Sequence, residues 1–264
     1  MSRNPNERQC ALVTGASGGI GLELARILAE NRFDLVLLAR SRDKLQALAG
    51  ELKAAHGVNV TIAPADLSES NAAQAVFEAV SGSGVQVDLL VNNAGLLHEG
   101  QFSAIDLDKQ LKLLQVNVVA MTALTYLFLA PMLERKRGRI LNVASIASFM
   151  PVPNLAVYAA SKAYVRSFGD ALSQELNGTG ITVTTLCPGV TDTGMVEGTD
   201  LGNLPSVMIM DPKSVAQEGF RACMAGTPVH VAGIANELAV QWMKYQPSWL
   251  LRVAGGFLNR NRGA

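Results

Sequence analysis

The sequence predicts an α/β protein built on one doubly wound parallel sheet of about seven strands, with helices on both faces. Three observations predict it. Short, near-continuous apolar runs alternate with stretches of helical period. Apolar residues make up 49% of the 264 positions, enough for a large buried core. A glycine-rich turn joins the first apolar run to the first helical stretch.

The strands are read at 10–14, 35–39, 59–63, 89–92, 139–144, 182–187 and 229–232. Unbroken apolar character is what strands covered on both faces require. The helices are read at 19–31, 42–56, 70–81, 107–135, 155–177 and 211–225. This alternation specifies βαβ units with right-handed crossovers. No linker, repeat or low-complexity stretch divides the chain. Residues 1–264 read as a single domain, with 235–264 as a helical C-terminal extension.

The first strand runs into Thr14-Gly15-Ala16-Ser17-Gly18-Gly19-Ile20-Gly21, and a helix follows at once. Glycines allow the tight turn and close backbone approach, and the helix N-terminus offers free N–H groups to a pyrophosphate. A plain glycine turn is the competing reading. In a βαβ unit after the first strand, the dinucleotide-binding Rossmann reading gains weight. Gly15, Ser17, Gly19, Ile20 and Gly21 are the candidate contacts.

The second strand ends Leu38-Ala39-Arg40-Ser41-Arg42, with no acid to take a ribose 2′-hydroxyl. Arginine forks and a hydroxyl suit a 2′-phosphate, so Arg40 and Ser41 favour NADP(H) over NAD(H). Solvated loop arginines are the alternative. Asp66-Leu67, after the third strand, places a carboxylate where an adenine amino group would lie; a turn or helix cap is equally consistent. Asn92-Asn93-Ala94-Gly95, after the fourth strand, offers small residues where backbone would lie against a flat ligand.

Tyr158 and Lys162 stand at i, i+4, on one helix face. A neighbouring ammonium lowers a phenol's pKa and fits it for acid–base work near neutral pH. Ser145 offers a hydroxyl for a carbonyl oxygen. The pair alone is a weak motif, equally suited to a surface Tyr and Lys.

In this order the motifs resemble the short-chain dehydrogenase/reductase family, in its single-domain branch of about 250 residues, over residues 8–225. The resemblance implies a carbonyl reductase or alcohol dehydrogenase that uses NADPH/NADP+. It implies that Tyr158 passes a proton to the carbonyl oxygen. It also implies that Lys162 binds the nicotinamide ribose and lowers the Tyr158 pKa, and that Ser145 orients the carbonyl. Asn117 would hold a relay water. Asn93, Ala94 and Gly95 would flank the cofactor, and Pro188, Gly189, Thr191 and Thr193 would orient the nicotinamide. Thr191 stands where Val or Ile is common in the family. The last strand continues into a helical tail rather than the tail of many tetrameric members. A homodimer is therefore favoured over a tetramer.

Phe149, Met150, Val152 and Pro153 follow Ser145, and Met195 begins a glycine- and methionine-containing loop; these are the expected substrate wall, beside Ser145 and Tyr158. Neither stretch carries Arg or Lys, which favours a neutral, apolar ketone or aldehyde. The tail holds Trp242, Trp249, Leu250 and Phe257 together with Lys244, Arg252, Arg260 and Arg262. Packing or dimer contact is the favoured use of that tail, ahead of a membrane surface.

Zero formal net charge and a pI near 6.8 give no electrostatic reason to expect nucleic acid as a partner. Cys10, Cys187 and Cys223 are far apart, as are the three histidines, so no metal is expected. The polar N-terminus and the absence of a span-length apolar run make a cytoplasmic protein the expectation. Two other functions use the same cofactor fold. One is an NADP(H)-binding redox sensor or scaffold without turnover, against which the complete Asn117–Ser145–Tyr158–Lys162 set argues. The other is an epimerase or dehydratase, for which few residues remain after Thr193.

Overall fold

In the computed structural model, residues 8–196, 199–203, 205 and 208–244 are described. Seven strands, β1 (Cys10–Thr14), β2 (Asp34–Ala39), β3 (Val60–Pro64), β4 (Leu89–Asn92), β5 (Gly138–Val143), β6 (Ile181–Cys187) and β7 (Val229–Val231), form one sheet in the order β3-β2-β1-β4-β5-β6-β7. Every neighbouring pair is parallel. The order reverses between β1 and β4. In such sheets the ligand crevice lies outside the carboxyl ends of the strands at that point.

Alternation along each strand sorts the core into two layers. Ala11, Val13, Leu35 and Leu37 face one layer, and Cys10, Leu12, Val36 and Leu38 the other. The first is closed by α1 (Gly19–Glu30), α2 (Arg42–His56) and α7 (Pro212–Ala225), through Leu24, Leu28, Leu45 and Val215. The second is closed by α3 (Ala72–Gly82) and α5 (Met121–Arg135), through Val76, Val80, Leu124 and Phe128. Each such Leu or Phe contributes about 1.5–3 kcal/mol by leaving water.

The expected helix over 107–135 is a continuous helical run with a defect. It comprises α4 (Leu107–Leu114), a π-helical segment Gln115–Ala120 and α5. This run is long and apolar enough, by length and composition, to cross a membrane, which corrects the expectation that no such run exists. Its Val116, Leu124, Phe128 and Met132 lie buried against the sheet, which accounts for its apolar character.

One further helix frames the site. α6 (Ala156–Glu175) carries Tyr158 and Lys162. α7 begins at Pro212 with Asp211 as N-cap, its carboxylate accepting from Ser214 N at 2.9 Å, and ends at Gly226 in the left-handed region. The C-terminal extension starts as α8 (Ile234–Lys244). Positions 245–264, including Trp249, Arg252 and Phe257, lie outside the described residues.

Candidate active site

A cavity of about 1140 Å³ opens at the carboxyl ends of the strands, at the reversal between β1 and β4. Pockets for small ligands run to about 1000 Å³, so the space suits a large cofactor together with a substrate.

The glycine turn forms one wall. Gly15, Ser17, Gly19 and Ile20 line the cavity. Gly15 and Gly19 have φ of +68° and +54°, which a side chain would strain. Gly21 does not line the cavity. A Cβ there would lie 2.3 Å from Asn93 Nδ2 and 2.4 Å from Gly15 O, so this glycine lets the turn close on itself. Asn93 locks the turn: its Nδ2 donates to Thr14 O at 2.9 Å and its N to Thr14 Oγ1 at 2.9 Å. Asn92 is a wholly structural neighbour, donating through Nδ2 to Thr125 Oγ1 and to Asn142 Oδ1, both at 2.9 Å. Asn93, Ala94 and Gly95 all line the cavity.

At the end of the cavity beyond β2 and β3 the lining includes Arg40, Ser41, Asp66 and Leu67, and with them Lys44 and Lys112, which the motifs did not reveal. Lys44 follows Arg40 into the first turn of α2 and Lys112 arrives from α4. Asp66 takes the turn role as well, accepting from Ser68 N at 2.9 Å. That bond, with the Arg40 and Lys112 charges, holds its carboxyl below the ordinary range against the opposing effect of burial.

The catalytic candidates converge opposite the turn. Ser145 ends the loop after β5 and caps a 3₁₀ turn, its Oγ accepting from Ala147 N at 3.1 Å. Tyr158 stands in the first turn of α6 and hydrogen-bonds the Ser145 side chain. Lys162, one turn on, is 4% exposed, and its Nζ lies 5.8 Å from the Tyr158 ring centroid. The expected electrostatics need correcting here. Burial raises the Tyr158 pKa, with the Ser145 hydrogen bond as the opposing effect. The Lys162 ammonium donates instead to Val143 O at 2.8 Å. Burial lowers the Lys162 pKa to about 8.

Asn117 sits in the π-helical segment, a defect common at functional sites. It does not line the cavity. Its Nδ2 donates to Leu96 O and Ser161 Oγ, both at 3.0 Å, and its Oδ1 accepts from Leu96 N at 2.8 Å. A Cβ on Gly95 would lie 3.4 Å from both Asn117 Oδ1 and Lys162 Nζ, so the two meet at that glycine.

Pro188, Gly189, Thr191 and Thr193 line the cavity, joined by Val190. Thr191 is buried, and its hydroxyl donates to Gly189 O at 3.0 Å, a use for the side chain that the sequence left open. The Thr193 methyl packs where a Cβ on Gly19 would be, 2.7 Å away, so this segment rests on the glycine turn.

Met150, Val152 and Met195 face the cavity with Leu155 and Leu201. Phe149 and Pro153 are not part of its wall. Phe149 joins a separate small core with Val165 and Cys187, and the Arg166 guanidinium stands 4.5 Å from its ring centroid. In the 3₁₀ turn after Ser145, successive side chains point in different directions, which proximity in sequence does not show.

A dinucleotide fits this donor set. The turn leaves room where side chains would otherwise stand, the helix N-terminus faces the cavity, and cations collect at one end.

The chain matches the short chain dehydrogenase family over residues 9–203. It is 37% identical over 212 residues to a ketoacyl reductase of Nostoc sp., covering 80% of this chain and 74% of that protein. It is 30% identical over 255 residues to the human inactive hydroxysteroid dehydrogenase-like protein 1, covering 95% and 76%. Among solved structures it resembles a short-chain dehydrogenase from Sphingobium yanoikuyae in complex with NADPH, with a TM-score of 0.81 and 28% identity over 95% of each chain.

Proposed function

The chain belongs to the short-chain dehydrogenase family, oxidoreductases that bind a nicotinamide cofactor, and from that premise we propose an NADPH-dependent reductase of neutral, apolar ketones and aldehydes, reversible as an alcohol dehydrogenase. The observation that carries this reading is the buried Ser145–Tyr158 pair facing the same cavity as the glycine turn.

NADPH, when bound, supplies the hydride for the carbonyl carbon. The chain's own residues supply the rest. A phenol with a raised pKa keeps its proton at neutral pH, and an alkoxide forming on the carbonyl oxygen is more basic than a phenolate and takes that proton from Tyr158. Ser145 holds that phenol in place through its hydroxyl, and the same hydroxyl is within reach of the oxygen that gains charge. Lys162, with a pKa of about 8, is mostly charged near pH 7, and its ammonium, held on Val143 O, lies on the cavity wall where it would meet the ribose hydroxyls of the nicotinamide half. Asn117 fixes the backbone at Leu96 and meets Lys162 over Gly95.

NADPH rather than NADH is supported by Arg40, Ser41 and Lys44 together at the adenosine end. An apolar substrate is supported by Met150, Val152, Leu155, Met195 and Leu201 on the opposite wall. The likeness to a ketoacyl reductase adds β-ketoacyl esters to the candidate carbonyls. The three cysteines are buried and free, consistent with a reducing cytoplasm. Val119, Tyr126 and Leu133 on the 107–135 run are exposed, as is Tyr164 of α6, whose hydroxyl meets Thr122 of the same run at 3.0 Å, and these exposed apolar side chains suit a homodimer.

The alternative is an NADP(H)-binding sensor without turnover, which the likeness to a protein named inactive brings forward. The test follows nicotinamide absorbance with NADPH and NADH against aryl ketones, aldehydes, ketosteroids and β-ketoesters. Turnover with NADPH on apolar ketones is expected. Tight NADPH binding without turnover on any of them would favour the sensor.

A further inference from the structure

We propose that Asn236, on the C-terminal helix α8, is a positioning residue for the nicotinamide end of the cavity, acting through Gly189 and Met210. This rests on the reading of 188–193 as the nicotinamide-side segment.

Asn236 reaches that segment by two routes. Directly, its amide packs on the Gly189 backbone: a Cβ on Gly189 would lie 2.5 Å from Asn236 Nδ2. Indirectly, Asn236 Nδ2 donates to Met210 Sδ at 3.2 Å. Met210 in turn brackets the segment, its N donating to Val190 O at 2.8 Å and its O accepting from Asp192 N at 2.9 Å. Gly189 and Val190 line the cavity, so a shift of the Asn236 amide is felt at the wall.

The base of α8 is itself fixed. Glu218, on α7, accepts from Gly233 N at 3.1 Å, and the same oxygen stands 2.9 Å from His230 Nε2 on β7. Gly233 turns with φ of +81°, and a Cβ there would lie 3.1 Å from Met210 Cε. Val240, one turn beyond Asn236, is 1% exposed and anchors the helix. The path runs from α7 through Glu218 to the start of α8, and from Asn236 to Met210 and Gly189.

The amide is suited to this task. Its NH₂ carries two donors, and it serves Ala232 O at 2.9 Å, just before α8, as well as Met210 Sδ. Leucine has nearly the same shape and no donor. A misplacement of about 1 Å in groups that orient a reacting centre can cost about a hundredfold in rate.

The test titrates NADPH and 2′,5′-ADP into wild type and Asn236→Leu, with steady-state kinetics on an apolar ketone alongside. The nucleotide 2′,5′-ADP carries the adenosine half and its phosphate but no nicotinamide. The expected result is a loss of NADPH affinity of about tenfold, the scale of one or two hydrogen bonds, with 2′,5′-ADP affinity unchanged. The kcat falls, and the KM for the ketone holds. Met210→Leu, which removes the sulfur acceptor, gives the same pattern and serves if Asn236→Leu fails to fold. Equal losses for both nucleotides, or no loss for either, would overturn the proposal. Wild type binding NADPH no tighter than 2′,5′-ADP would remove the nicotinamide reading itself, and the proposal with it.

Discussion

The two ends of the cavity are held in different ways. At the glycine turn the ties run between short motifs: Thr14 and Gly15 to Asn93, and Gly21 against Gly15. At the other end the segment over 188–193 is held by residues that come later in the chain, Met210 and Asn236. One end is built from backbone geometry that only particular residues permit. The other depends on tertiary contacts from the stretch just before α7 and from α8. The first should fail when a side chain is added, and the second when a donor is removed.

The largest effect is expected at the reacting centre between them. Tyr158→Phe should lower kcat by about a thousandfold, the range for a lost general acid, with NADPH affinity retained. Turnover within tenfold of wild type would rule out Tyr158 as the acid. Gly21→Ala breaks the glycine turn. Its Cβ would meet Gly15 O at 2.4 Å, so overpacking of about 1–3 kcal/mol is expected, with weakened NADPH binding by titration. Unchanged melting and binding would show that the turn relaxes freely.

Lys162 supplies a pH test of the buried centre. Its pKa is lowered from 10.5 to about 8 by burial. Below pH 8 both folded and unfolded chains carry the proton, and the buried charge is a full penalty. As pH rises from 8 towards 10.5 the folded chain loses a proton that the unfolded chain keeps, so stability rises. Wild type should therefore gain on Lys162→Met by about 2 kcal/mol between pH 7 and about pH 9.5, in denaturant melts at both values. A constant difference would mean that the lysine is not desolvated.

Smaller effects are expected at the two ends. Arg40→Ala should shift the NADPH-to-NADH preference by about tenfold in kcat/KM, as for one charge-assisted contact. An unmoved ratio would assign the phosphate elsewhere, with Lys44 the next candidate. Met150→Ala should change the ketone KM by about two- to fivefold and leave the NADPH KM alone. A change in the NADPH KM instead would place Met150 on the cofactor wall.

The same contrast explains what was legible in the sequence. The sheet was legible because apolar runs and helical periods are local patterns, and Ala11 and Leu12 fall on opposite layers as alternation requires. The glycine turn was legible because close approach is a local requirement, whereas Ser145, Tyr158 and Lys162 were read as one set through the family resemblance, since i, i+4 spacing alone suits a surface pair equally well. Lys112 and Asn236 were not, because α4 and α8 bring them to the site from distant stretches. The direction of Phe149 was not legible, because the 3₁₀ turn after Ser145 sends it towards Arg166. The Tyr158 pKa was misjudged because spacing shows the lysine but not the depth of burial, and burial dominates. The π-helical segment at Asn117 left no mark in the apolar pattern.

The measurement that bears most directly on hydride transfer at this site uses NADPH carrying deuterium at both C4 positions. Wild type is incubated with it and an apolar ketone, and the product alcohol is analysed by mass spectrometry. One deuterium on the carbinol carbon, with the hydroxyl proton exchanging with water, is the expected result. An unlabelled alcohol, or no alcohol while NADPH binds, would contradict a hydride-transferring reductase.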